Sequence, residues 1–179
     1  MGRGNLLRCI ERVKGEAFIG ISLAHLIRKV KPKAFRGIKL FITIGRRWLW
    51  GGETIAGIRA MGKGKVCELP QPKPTDTASI IFTTGSTGPP KGVCYTHAMF
   101  RAQRDLLQEI FGIGEGDVDM PGFILFAIFS LGMGLSVVIP EMDPTRPAEV
   151  DPERIREAVN DHGVTFCFGS PALWRRSEE

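Results

Sequence analysis

Ten residues, Thr83, Thr84, Gly85, Ser86, Thr87, Gly88, Pro89, Pro90, Lys91 and Gly92, bring together four hydroxyls, three glycines and one lysine. Glycines let successive backbone N–H groups turn toward one concavity, hydroxyls add donors, and an ammonium supplies a point charge suited to phosphate oxygens. The stretch is expected to cradle phosphate. It is not a Walker A loop: counting from Gly85, the second glycine of G-x-x-x-x-G-K-[ST] falls on Pro90 and the magnesium-binding hydroxyl on Gly92. The spacing Gly85, Gly88, Gly92 does not spell the dinucleotide pattern G-x-G-x-x-G either. A plain Gly/Ser/Pro turn between strands is the bland alternative, and a lysine set among hydroxyls argues against it.

The other chemistry-bearing side chains are sparse. Cys9, Cys67, Cys94 and Cys167 lie far apart, without a C-x-x-C or a histidine at ligand spacing, and read as reduced, cytoplasmic cysteines. His25, among Leu and Ile, reads as a packed or half-exposed histidine. His97 follows the loop closely, and a local cap or turn contact is favoured slightly over a phosphate contact. The net charge of +5 conceals an asymmetry, with 16 Lys/Arg against 4 Asp/Glu in residues 1–74 and 8 against 15 in the remainder. These cations are scattered apart from Lys29 to Lys33, and no nucleic-acid motif accompanies them, so a solvated surface is expected and no nucleic-acid partner.

The elements that would position the loop follow from periodicity. Ile80-Ile81-Phe82 is the strand entering it and Val93-Cys94-Tyr95-Thr96 the strand leaving it. Upstream, Leu6, Leu7, Ile10 and Val13 share a helical face within 5–13, Phe18 to Ile21 reads as a strand, and Ser22 is placed to cap a helix through Val30. Ile38 to Ile44 is the next strand, closed by Gly45. The apolar Trp48-Leu49-Trp50 runs into the Gly51-Gly52 turn, and a helix is expected from about Glu53 to Ala60. Leu69 to Pro74, with three prolines, excludes a helix or an interior strand and reads as a linker. Downstream, a helix is expected from Ala98 to Phe111, stopped by Gly112. Asp151-Pro152-Glu153 is a helix start with an Asp cap and a proline in the first turn, and Gly163 is its stop. Val164 to Phe168 is a strand, and a last helix begins at Gly169 to Ala172. Strand and helix in alternation imply an α/β fold, with sheets covered on both faces by helices.

Met120 to Pro140 contains no charged residue in 21 positions, a length that suits a membrane span. Acids flank both ends without nearby Lys or Arg, and Pro121, Gly122, Gly132 and Gly134 interrupt it. Strand, loop, helix and strand in a buried core is the favoured reading. The N-terminus shows no targeting signal, because it lacks an apolar run and Leu6 stands where a myristoylation signal requires Ser or Thr.

Thr83 to Gly92 resembles the phosphate-binding signature of the adenylate-forming superfamily, a T/S-G-S/T-T-G-x-P-K-G pattern matched here at every position. The resemblance implies that Thr83, Thr84, Gly85, Ser86, Thr87, Gly88 and Lys91 hold the phosphates of ATP, with Mg, while a carboxylate attacks the α-phosphorus and pyrophosphate leaves. Phe18 to Ile21 with Ala24-His25-Leu26, Trp50-Gly51-Gly52, Tyr95-Thr96-His97, Met142 to Ala148 and Phe168 to Leu173 narrow it further. Together they are similar to the olefin-biosynthesis branch, the β-lactone synthetases often labelled fatty-acid-CoA ligases. That branch is implied to activate a long-chain β-hydroxy acid, and other enzymes of olefin biosynthesis are its implied partners. Phe126 and Ala127, where many members carry Phe-His, and Gly169, Ser170 and Pro171 are implied to border an acyl pocket.

The fold implied is part of the large N-terminal domain of such an enzyme, with mixed sheets covered by helices. Residues 1–68 would form an α/β segment, 69–77 a Pro-rich linker and 78–179 the phosphate-loop and acyl-pocket segment, with no C-terminal lid domain. The family's later motifs, Tyr-Gly-x-Thr-Glu, Thr-Gly-Asp and the C-terminal lysine, have no counterpart, so an internal fragment that binds without turnover is expected, and no metal ligand is assigned. A phosphate-binding module needing a partner chain and a small membrane-associated protein built on 120–140 are the alternatives.

Overall fold

The computed structural model describes residues 3–83, 90–144 and 146–177. The chain folds as two compact units, Met1–Tyr95 and Thr96–Glu179.

In the first unit, helix α1 (Arg3–Val13) leads into strand β1 (Ala17–Ile21), helix α2 (Ser22–Val30), a 3-10 turn (Pro32–Phe35) and strand β2 (Leu40–Ile44). β1 and β2 pair in parallel, Ala17 opposite Leu40 and Ile21 opposite Ile44, so the intervening helix is the crossover that parallel pairing requires. A two-residue strand β3 (Glu53–Thr54) extends the sheet in parallel, and helix α3 (Ile55–Gly62) follows. No helix or strand covers 63–76. Strands β4 (Thr77–Thr83) and β5 (Lys91–Thr96) form a sheet of their own.

One face of β1–β2 holds an aromatic cluster. The Phe18 ring lies edge-on to His25 at 5.3 Å and to Phe35 at 5.1 Å, and His25 stacks on Trp50 at 5.9 Å. His25 is fully buried, and its Nε2 lies 3.0 Å from the Ile42 carbonyl, so it is a packed residue as its apolar neighbours imply. On the opposite face Ile42 is buried, whereas Ile19, Ile21, Leu40 and Ile44 are 45–57% exposed.

Several boundaries move for identifiable reasons. Ser22 is the first helical residue rather than a cap: its hydroxyl donates across to the Arg46 carbonyl at 2.7 Å, and no side chain caps α2. The backbone N–H groups of Lys39 and Leu40 both donate to the Glu16 carbonyl, so ladder pairing with β1 starts at Leu40 and not Ile38. Thr54 accepts from Gly57 N–H at 3.0 Å and starts α3 two residues later than expected. On α1 the buried position is Cys9, one residue off the Leu/Ile/Val face that periodicity singles out.

The second unit opens with helix α4 (His97–Phe111), capped by Thr96 and ended by Gly112 in the left-handed conformation. Strand β6 (Val118–Pro121), a 3-10 turn (Ile124–Phe126), helix α5 (Ala127–Gly132) and strand β7 (Ser136–Val137) follow. Residues 120–140 thus fold as strand, turn, helix and strand, and no helix among the described residues is long and apolar enough to cross a membrane. Helix α6 (Pro152–His162) carries the expected Asp151 cap, which accepts from Glu153 N–H at 3.0 Å, and Gly163 ends it at φ 60°. Strand β8 (Phe166–Phe168) and helix α7 (Pro171–Ser177) complete the described chain. β6 lies between β7 and β8, parallel to both. Met120, Val150, Ile155 and Leu173 form the core of this unit, with Ala158, Val159, Val164, Cys167 and Trp174 packed against it.

Candidate functional site

Thr83 is the last residue of β4 and Lys91 the first of β5, so two hydrogen-bonded strands hold both ends of the hydroxyl-rich loop. Thr84, Gly85, Ser86, Thr87 and Gly88 lie outside the described residues. Both anchors are exposed, whereas Pro90 beside Lys91 is buried and pins the return of the chain. Gly92 has a packing role: a Cβ built there would lie 3.1 Å from the side chains of Ile80 and Phe82. The glycine therefore leaves room for the Ile80 and Phe82 side chains of the neighbouring strand, with Lys91 next to it at the loop's exit.

The residues implied to border an acyl pocket come from two segments that the fold brings together. Phe126 ends the 3-10 turn and Ala127 starts α5, while Gly169, Ser170 and Pro171 join β8 to α7. The Phe126 and Phe168 rings meet at 4.7 Å, and Gly122 N–H donates to the Phe168 carbonyl at 2.6 Å. Phe123 and Phe129 lie 5.7 and 6.1 Å from Phe126, so an aromatic cluster surrounds it. Gly169 has no room for a side chain, because a Cβ would lie 2.8 Å from Leu173 and 2.9 Å from Trp174. Ser170 Oγ accepts from Leu173 N–H at 3.3 Å, which makes it a start signal for α7. His97 is the first residue of α4 and lines a surface cavity of about 160 Å³ with Phe100, Arg101, Arg104, Ile128, Phe129 and Gly132. The capping role belongs to Thr96, whose Oγ1 accepts from Met99 N–H at 3.2 Å.

Two arrangements were not visible in the sequence. Asp119, on the central strand β6, is 1% exposed; its Oδ2 accepts a 2.5 Å hydrogen bond from Ser130, and among the described residues its Oδ1 has no partner. Burial pushes this carboxyl above the ordinary aspartate range, and the Ser130 bond opposes the shift in part. The Ser130 hydroxyl also lies 3.4 Å from the Phe126 carbonyl, so it stands between β6 and the turn that carries Phe126. Cys167 on the neighbouring strand has its thiol pushed up by burial and then by Asp119. The second arrangement is in the first unit, where the buried guanidinium of Arg28 lies 3.8 Å above the Phe41 ring and donates to the Trp50 carbonyl.

The AMP-binding enzyme family model matches residues 24–177. The chain belongs to that family. It is 47% identical to the olefin β-lactone synthetase of Stenotrophomonas maltophilia over 173 residues, 97% of this chain and 31% of that protein. With the olefin β-lactone synthetase of Xanthomonas campestris the identity is 45% over 170 residues, 95% of this chain and 30% of that protein. The chain therefore spans about a third of the length of these relatives. Among solved structures, an anthranilate CoA ligase in complex with anthranoyl-AMP superimposes with a TM-score of 0.78 at 16% identity, over 96% of this chain and 34% of that one. A long-chain-fatty-acid-CoA ligase from Archaeoglobus fulgidus gives 0.74 at 19% identity, over 96% of this chain and 33% of that one. The mixed α/β fold is that of the adenylate-forming ligases.

Proposed function

We propose that this chain carries the ATP-phosphate loop and part of the acyl-binding wall of an acid-activating ligase whose product is a β-lactone. The observation that carries the reading is the loop itself, a full match to the adenylate-forming signature with Thr83 and Lys91 on paired strands. The likeness to two olefin β-lactone synthetases at 45–47% identity supports the choice of branch.

In this reading Thr83, Thr84, Gly85, Ser86, Thr87 and Gly88 present backbone N–H and hydroxyl donors to the β- and γ-phosphates, and Lys91 adds its charge from the start of β5. Fixed donors of this kind need no reorganisation as charge develops on the leaving pyrophosphate. A long-chain β-hydroxy carboxylate attacks the α-phosphorus, pyrophosphate departs, and the acyl-adenylate forms. Attack of the β-hydroxyl on the acyl carbon then closes the lactone and releases AMP. Phe126 and its aromatic neighbours, with Ala127, Gly169, Ser170 and Pro171, would face the acyl chain. Their apolar surface suits a hydrocarbon, and the bare Gly169 lets Leu173 and Trp174 pack tightly behind it.

Mg is the ion this chemistry uses with ATP. Among the described residues no three His, Cys, Asp or Glu side chains gather to hold a metal, so the protein groups named here are not asked to bind it.

Lys91→Ala tests the reading. Loss of one charge-assisted contact should weaken ATP and pyrophosphate binding by about 1.5–3 kcal/mol, measured by isothermal titration. Unchanged affinity would refute the assignment of the loop.

A further inference from the structure

A cavity of about 520 Å³ opens in the first unit between α2, the Pro32–Phe35 turn and β2, away in sequence from the phosphate loop. Arg28, Phe35, Phe41 and Trp50 are among its lining residues, and Lys29 and Arg36 stand exposed beside them. No acidic side chain lines it. Arg28 is 8% exposed, and among the described residues it meets no carboxylate: its hydrogen bond goes to the neutral Trp50 carbonyl. A guanidinium has five N–H donors and stays charged in proteins, so most of its donors remain available here. Burial lowers its proton affinity. Neither Lys29 nor Arg36 is ion-paired among the described residues.

A buried cation normally has an anionic partner, because desolvating an unpaired charge is costly. The cavity supplies the space for one. Its low-dielectric aromatic wall concentrates the field of three cations, with no acid among the lining residues. Phe35, Phe41, Ile38 and Pro32 offer an apolar body contact beside that charge. The volume is that of a small-molecule site.

We infer that this cavity binds a small organic anion, a phosphate monoester or a carboxylate on a short apolar body, whose charged group pairs with Arg28 and is drawn in by Lys29 and Arg36. The site is separate from the proposed ATP loop and does not depend on that reading.

The test is amide chemical-shift mapping of the full chain titrated with n-butyl phosphate, n-butyrate and n-butanol. Both anions, or one of them, should shift amides of residues 28–36 and 50–52 saturably, and the stronger of the two identifies the preferred head group. Arg28→Met should weaken that binding at least about tenfold, as expected for a lost charge-assisted bond. Because Arg28 is buried, Lys29→Gln and Arg36→Gln provide the check that spares the fold. Each should weaken binding severalfold and reduce its dependence on salt, whereas Lys91→Ala should leave it unchanged. Equal binding of butanol, no loss in either rim variant, or shifts with an acidic hexapeptide but with neither anion would overturn the inference.

Discussion

Replacing Ser130 by alanine removes the one hydrogen bond that the described residues make to the Asp119 carboxyl and leaves both of its oxygens without a partner among them at 1% exposure. The loss of a partner for a buried polar group costs about 1–3 kcal/mol. The deficit should depend on pH in a defined direction. Asp119 has a folded-state pKa raised above the unfolded aspartate value of about 3.9, so the native state holds the extra proton. Its contribution to stability is fully present below that unfolded value and is lost as pH rises through the folded one. Because the Ser130 bond lowers the raised pKa, its removal raises the pKa further, and the variant should lose more with rising pH than the parent does. Urea unfolding at pH 4.5 and pH 8 is the assay, and the Ser130→Ala deficit should be larger at pH 8. Asp119→Asn keeps the size and an acceptor for Ser130 without the titration, so in that background the pH-dependent part should disappear. A Ser130→Ala deficit that is constant with pH, or larger in acid, would show that the Ser130 bond does not hold down a raised Asp119 pKa in the folded protein.

Gly52 has φ +82°, and a Cβ there would lie 2.5 Å from the Phe41 carbonyl, so Gly52→Ala should cost about 2 kcal/mol or more by thermal melting. At Gly92 the same change meets Ile80 and Phe82 at 3.1 Å; about 1–3 kcal/mol of overpacking and weaker pyrophosphate binding are expected together, and a stability loss with binding intact would separate Gly92 from the loop. Asp117 has its carboxyl held below the usual range by the Gly114 N–H and the Thr165 hydroxyl, so its stabilisation is present above the unfolded pKa and lost as pH falls. Asp117→Asn should therefore make unfolding less sensitive to acid, as read from midpoints between pH 3 and pH 6.

Local chemistry was legible in the sequence wherever one or two residues decide it. The Asp151-Pro152 start and the Gly112 and Gly163 stops appear where expected, because a cap or a left-handed glycine acts within one turn of helix. The strands on either side of the loop were readable for a similar reason: a β-branched run giving way to Gly, Ser and Thr changes backbone preference within a few residues. The interruptions in 120–140 likewise announced a broken segment rather than a span.

Contacts between distant residues were not legible. Ser22 reads as a cap on local grounds, but β2 delivers the Arg46 carbonyl to its hydroxyl from 24 residues away. Asp119 reads only as one of the acids flanking the uncharged stretch 120–140, and the placement of β6 between β7 and β8 buries it against Ser130. Arg28 likewise reads as one of many scattered cations until α2 lays it over Phe41 beside Trp50. The sequence by itself determined where the chain bends, caps and reverses, since those depend on neighbours along the backbone. Only the tertiary structure decided which charges lose their water, because burial is set by segments that meet across the fold.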